Sequence, residues 1–217
     1  MKERIVLIGG GGHCKVVIDA IRKAGEYEIK GIVDPNLDRD EKVLDVPVLG
    51  DDSELLKIDK KDVKNAFVTV GSIGDCSLRK KLYQKVEDAG FNIPVIIHPG
   101  AVVAEGVKIG KGTFVAARAV INTGTEIGKN VIINTSSSVD HDCSIGDNVH
   151  IAPGVTLSGG VRIGKGAHIG TGANVAQCAN IEENRKIKAG SLVYKGFSGV
   201  TYVRAVGSTH KGDQLYV

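Results

Sequence analysis

The segment SSVDHDCSIGDNVHIAPGVTLSGGVRIGKGAHI, residues 137–169, returns an aliphatic side chain at every sixth position: Val139, Ile145, Ile151, Leu157, Ile163 and Ile169. The register continues unbroken on both sides, through Val103, Ile109, Val115, Ile121, Ile127 and Ile133 before it and Val175, Ile181, Ile187 and Val193 after it. Two positions ahead of each aliphatic the residue is mostly small or β-branched, as at Thr113, Ala119, Thr125, Ser137, Cys143, Ala167, Ala173 and Ala179. One position after it Gly, Ala or Asn recurs, as at Gly110, Ala116, Asn122, Gly128, Asn134, Gly146, Gly164 and Gly170. A period of six cannot keep residues on one face of a helix with 3.6 residues per turn, and glycine with β-branched residues suits strands and turns. A fixed short period means a solenoid whose units bury their apolar sides by stacking. Three hexads close a triangular coil, so the tract from Ala101 to Lys195 makes about five coils, roughly 25 Å tall at ~4.8 Å per strand.

Composition agrees with such a core. The 217 residues include 29 glycines, no tryptophan and only 4% aromatics, which suits stacked small aliphatics. A formal charge of +3 is spread without a basic run, so neither nucleic acid nor a membrane surface is indicated. No apolar run approaches the ~20 residues of a membrane span. The start, MKERIVLIGG, has too short an apolar core for a signal peptide, which makes a cytoplasmic protein the expectation. Cys14, Cys76, Cys143 and Cys178 are scattered without a C-x-x-C pair, a pattern of reduced thiols.

The first 97 residues read differently. RIVLIG (4–9) is a buried strand, followed by Gly9-Gly10-Gly11-Gly12-His13 and a helical apolar pattern through Val16, Val17, Ala20, Ile21 and Ala24 that ends near Gly25. A strand, a glycine turn and a helix present backbone N–H groups to a phosphate. The dinucleotide fingerprint beginning at Gly9 and Gly11 has Cys14 in its third place, so the loop suits another phosphate-bearing ligand or a structural turn as well as a nicotinamide cofactor. A second strand, 28–33, ends on Asp34-Pro35, a third, 66–70, ends on Gly71-Ser72, and a charged amphipathic helix covers 78–89. Alternating strands and helices predict a small parallel α/β domain over 1–97, ahead of the solenoid at 98–217. Ligands of such sheets bind at the carboxyl ends of the strands, where Gly11 to His13, Asp34 and Gly71-Ser72 all fall.

In the solenoid, polar interruptions concentrate between Asn134 and His168. Asp140-His141-Asp142 places an imidazole between two carboxylates at a prism corner, two residues past inward Val139. A carboxylate fixes an imidazole's tautomer and stabilises its protonated form, which suits a general base near neutral pH; a surface turn histidine is the plain alternative. His150 and His168 each precede an inward position and stand one coil apart, so they should stack on one face. The chain has no H-x-x-x-x-H, which weighs against a three-histidine zinc site of the γ-carbonic-anhydrase kind, and no catalytic metal is expected.

Residues 8–19, 31–36, 70–82, 96–103 and above all VDHDCSIGDNVHIAPGVTLSGGV (139–161) resemble the bacterial hexapeptide-repeat sugar acetyltransferases, the group of sialic acid O-acetyltransferases and UDP-4-amino-sugar N-acetyltransferases. The likeness spans about residues 4–195. It implies a Rossmann-like nucleotide-sugar domain, then a left-handed parallel β-helix that holds acetyl-CoA between subunits of a homotrimer. It implies His141 as general base with Asp142 as partner. It also implies His150, Gly159, Thr171 and Ala189 at acetyl-CoA, and Gly11, Gly12, His13, Asp34, Pro35, Gly71 and Ser72 around the nucleotide sugar. The expected reaction is acetyl transfer to an amino group of a nucleotide-activated sugar. Sialic acid O-acetylation is the nearer alternative and a metal-dependent or non-enzymatic β-helix the more distant one. Relatives usually end on G-x-P-A-K/R; here Gly196-Phe197-Ser198-Gly199-Val200 leads to Arg204-Ala205-Val206 and a tail to Val217.

Overall fold

A computed structural model describes residues 2–39, 41–195 and 201–204. The unusual ending, Gly196 to Val200 and Ala205 to Val217, lies outside the described residues. The chain forms two compact units. One comprises Met1–Gly71 and Ser77–Pro99, the other Ser72–Cys76 and Gly100–Val217. The segment between Gly71 and Ser77 therefore groups with the solenoid, although its sequence position places it inside the α/β domain.

The first unit holds β1 (Glu3–Ile8), α1 (Gly12–Ala24), β2 (Tyr27–Val33), β3 (Lys42–Val43), β4 (Val46–Gly50), β5 (Asn65–Val68) and α2 (Ser77–Asp88). The sheet order is β3-β4-β2-β1-β5. Three of its four pairings run parallel, and only the short β3 edge is antiparallel. β1 is wholly apolar inside (Ile5, Val6, Leu7 and Ile8 at 2% exposure or less), as a strand covered on both faces must be. α1 buries Cys14, Val17, Ile18, Ala20 and Ile21 and stops at Gly25 in the left-handed conformation. Cys14, the odd residue of the fingerprint, is thus a core side chain. Val16, counted on the apolar face by its spacing, is 40% exposed.

The second unit is a three-sided parallel β-helix. Two-residue strands recur every hexad, and each pairs in parallel with the strand one coil later, Val120 with Ser138, Ser144 with Arg162 and His150 with His168. The sixth-position aliphatics form one continuous core, with Val115, Ile121, Ile133, Val139, Ile151, Leu157, Ile169 and Val193 completely buried. Each contributes ~1.5–3 kcal/mol by leaving water. The hydroxyls two places ahead join successive coils. Thr125 Oγ1 donates to the Asp140 carbonyl at 2.8 Å and accepts from the Cys143 N–H at 3.1 Å.

The third residue after each inward aliphatic is left-handed at every corner from Gly106 to Gly190. All are Gly, Asn or Asp except Arg118, Ser136 and Cys178. These three residue types tolerate a conformation that costs others ~1–2 kcal/mol. This column of Gly, Asn and Asp is a second six-residue signal in the sequence, less strict than the aliphatic one, and it marks where the chain turns.

Candidate active site

One corner of the β-helix carries the chemistry. It joins the strand Ser138–Val139 to the strand Ser144–Ile145, and it turns at Asp142, φ 58°. Above Asp142 in the same column lie Gly160 and Cys178, and below it Gly124, all left-handed. His141 precedes the left-handed residue and projects outward, 51% exposed. Its Nδ1–H donates to Asp142 Oδ2 at 2.8 Å. Because a carboxylate only accepts, this bond fixes the tautomer and leaves Nε2 with a lone pair. Asp140 Oδ1 accepts the His141 backbone N–H at 2.8 Å and the Asn122 amide at 2.9 Å. These bonds hold the Asp140 carboxyl below its ordinary range. The bond to Asp142, joined by the charge of Asp140, pushes the His141 imidazole above its ordinary range.

The ring lies over Gly159, one coil up. A Cβ at that glycine would sit 2.6 Å from His141 Cε1 and Nε2, so only glycine lets the imidazole take this position. The Gly159 carbonyl accepts from Cys178 N–H. At this place in the corner a backbone N–H stands outside the ladder. At His141 and Thr135 it is capped by the preceding side chain, Asp140 or Asn134. The Gly159 N–H has no acceptor among the described residues. Thr171 and Ala189 occupy the equivalent place on the next corner, joined by Gly190 N–H to Thr171 O, and their own N–H groups are also without acceptors among the described residues. Cys143 points inward, 1% exposed, and donates to Ser158 O, so the thiol nearest His141 in sequence faces away from it, while Cys178, two coils above Asp142 in the same column, is exposed.

His150 is on the side of the prism opposite that corner and is 7% exposed. Its Nδ1 lies 2.6 Å from the Ser72 carbonyl and its Nε2 lies 3.1 Å from Asn134 Nδ2. The His168 ring packs edge-on against it, centroids 5.0 Å apart, as the one-coil spacing predicts. Within one chain, then, His141, Asp142 and Gly159 are brought together, and His150 is not among them. Asn134, Asn122 and Asp140 are the positioning groups that spacing alone did not single out. In the sequence they stand only as members of the Asn column or as flanks of the histidine.

In the first unit the glycine loop is tightly built. Gly9, φ 104°, would place a Cβ 2.5 Å from Val70, whereas nothing lies within 4 Å of one on Gly11 or Gly12. α1 begins beyond Gly11 with no side-chain cap and no acidic residue in its first turn. Asp34 takes the Gly10 N–H on Oδ2 at 2.7 Å and the Asn36 N–H on Oδ1 at 2.9 Å, so its carboxylate braces the loop. Pro35 beside it is exposed. Gly71 packs on His13, a Cβ there falling 3.6 Å from His13 Cβ. Burial, with the Arg79 guanidinium adding to it, lowers the His13 imidazole to about 4, so it is neutral near pH 7. Among the described residues no cluster of His, Cys, Asp and Glu could hold a metal ion. No helix of the described residues is long and apolar enough to cross a membrane.

Comparison with known proteins agrees with both halves. The family model for the PglD N-terminal domain matches residues 4–86, and that for the bacterial transferase hexapeptide (six repeats) matches residues 124–159. A perosamine N-acetyltransferase from Caulobacter crescentus, solved as a histidine-to-asparagine mutant with CoA and GDP-perosamine, is 38% identical, with a TM-score of 0.81 over 93% of this chain and 96% of that one. The acetyltransferase domain of PglB from Neisseria gonorrhoeae, in complex with acetyl coenzyme A, is 33% identical, with a TM-score of 0.81 over 89% and 97%. WeeI from Acinetobacter baumannii, 24% identical, shares the fold at a TM-score of 0.70 over 89% and 97%. With a glycine loop and parallel sheet leading into a β-helix whose corner holds a carboxylate-bound imidazole, and with two such relatives matched along almost their whole length, this chain belongs to the bacterial hexapeptide-repeat sugar acetyltransferase family.

Proposed function

We propose that this enzyme transfers the acetyl group of acetyl-CoA to an amino group of a nucleotide-activated sugar by direct attack, with His141 as general base. The carrying observation is the ring of His141, clamped through Nδ1 by Asp142 and lying over Gly159, so that the neutral ring offers the Nε2 lone pair. The neutral amine adds to the thioester carbonyl carbon, and His141 Nε2 takes the proton that the nitrogen must lose. The tetrahedral oxyanion is held by the Gly159 N–H, and the C–S bond then breaks to release CoA, which receives the proton. Thr171 and Ala189 offer further N–H groups to acetyl-CoA. His150 completes that set in the family resemblance. Its two engaged ring nitrogens make it a neighbour of the cofactor and not an oxyanion donor.

The nucleotide sugar is assigned to Gly11, Gly12, His13, Asp34, Pro35, Gly71 and Ser72, with the diphosphate at the uncapped start of α1. Residues 1–97 then serve the nucleotide sugar and 98–217 acetyl-CoA. A site that uses both the His141 corner and the opposite His150 side needs a second copy of the chain. This supports a homotrimer with active sites between subunits. The cytoplasm, where acetyl-CoA and nucleotide sugars occur together, is the assigned location. The N-acetyl reading is favoured over sialic acid O-acetylation because the relatives above 30% identity include an N-acetyltransferase crystallised with a nucleotide amino sugar.

The test is acetyl transfer followed by intact mass on a panel of GDP- and UDP-linked amino sugars and free sialic acids. An amino-sugar product from the wild type, its loss in His141→Ala, and retained CoA binding in that variant are expected. Near-normal turnover in His141→Ala refutes the assignment, and a product on sialic acid alone moves it to the O-acetyl class.

A further inference from the structure

The surroundings of His150 define its protonation without reference to any ligand. Asn134 Oδ1 accepts the Thr135 N–H at 2.8 Å, and this fixes which way the Asn134 amide faces. Its NH2 end therefore points at His150 Nε2, 3.1 Å away. Nε2 must accept, so the ring proton is on Nδ1 and donates to the buried Ser72 carbonyl at 2.6 Å. An Asn–His–carbonyl relay of this kind has one direction only.

Ser72, 8% exposed, opens the Ser72–Cys76 segment that groups with the β-helix. Farther along it, Gly74, φ 75°, lies against the Lys186 side chain, and Cys76 Sγ is 3.9 Å from the Gly166 carbonyl. At the start of this segment the 2.6 Å bond to His150 is a buried polar attachment to the β-helix, shorter than the 3.9 Å contact at Cys76. The imidazole has given up both of its nitrogens to Asn134 and Ser72.

We propose that His150 is a positioning residue for the nucleotide sugar: its Nδ1–H locks the Ser72–Cys76 segment on the β-helix, and Asn134 holds the ring in the tautomer that allows it. This rests on the assignment of Ser72 to the sugar site. It places the effect of His150 on the acceptor side of the reaction, through a backbone carbonyl.

The two amide replacements of histidine separate this from a direct contact with acetyl-CoA. The NH2 of asparagine falls where Nδ1 is, and that of glutamine falls where Nε2 is. In His150→Gln and His150→Ala, KM for the amino sugar should rise about tenfold, as for one lost buried hydrogen bond, whatever the change in KM for acetyl-CoA. His150→Asn should recover most of the glutamine defect. Amide hydrogen exchange on the ligand-free protein gives a second reading that needs no turnover. Residues 73–76 should lose protection in the Gln and Ala variants and regain it in the Asn variant. A defect confined to acetyl-CoA, better rescue by Gln than by Asn, or unchanged protection in all three variants overturns the proposal. A wild-type protein that acetylates no amino sugar refutes the proposed function instead, and leaves the exchange experiment to judge the latch.

Discussion

Replacing Gly159 by alanine tests the catalytic corner with one methyl group. The added Cβ would lie 2.6 Å from two ring atoms of His141 and 3.2 Å from a third. Ordinary carbon contacts begin near ~3.5 Å, so the ring must retreat by about 1 Å. It is half exposed and can do so by swinging outward. The swing breaks its 2.8 Å bond to Asp142 and takes Nε2 off the line of the attacking amine. A displacement of about 1 Å of a catalytic group costs on the order of 10²-fold in rate. Steady-state kinetics should therefore show kcat down about 100-fold, with CoA affinity close to wild type by calorimetry. The melting temperature should hardly move, because the ring has solvent to move into and Gly159 itself, outside the left-handed positions, requires no special φ. Adding Gly159→Ala to His141→Ala should cost nothing further, since the methyl acts only through the imidazole. A Gly159→Ala enzyme with wild-type kcat, or one in which the two losses multiply, would refute the placement of His141 as base.

Three further outcomes follow from the same geometry. Because the Asp142 bond and the Asp140 charge raise the His141 pKa, the base is lost as pH falls through that raised value. Asp142→Asn should shift the acid limb of the kcat/KM profile to lower pH while cutting its plateau, read from a full pH–rate profile. His13 is held neutral when folded, at about 4 against 6.5, so the unfolded chain binds the extra proton on acidification. Stability from this group is present above pH 6.5 and lost as pH falls toward 4, up to about 3 kcal/mol by urea titration, and His13→Gln should flatten the loss. Thr125→Val strands the Cys143 N–H and a lone pair of the Asp140 carbonyl in the core, and should destabilise the protein by roughly 2 kcal/mol in denaturant melts.

The sequence by itself determined the β-helix, its register and its corner histidine. Stacked identical hexads leave one way to bury sixteen aliphatic side chains, and the residue two beyond an inward position must face out. It also placed the glycine loop, the start of α1 and the His150–His168 stack, because each is fixed by spacing within a few residues or one coil. Tertiary structure alone decided three things. One is the grouping of Ser72–Cys76 with the β-helix, since contacts far apart in the chain outweigh its place between β5 and α2. Another is the tautomer of His150, which depends on a carbonyl 78 residues away and on the orientation of the Asn134 amide. The last is the reason Gly159 must be glycine. Two residues eighteen positions apart become neighbours only when the coil closes, and the space between them is then smaller than a methyl group.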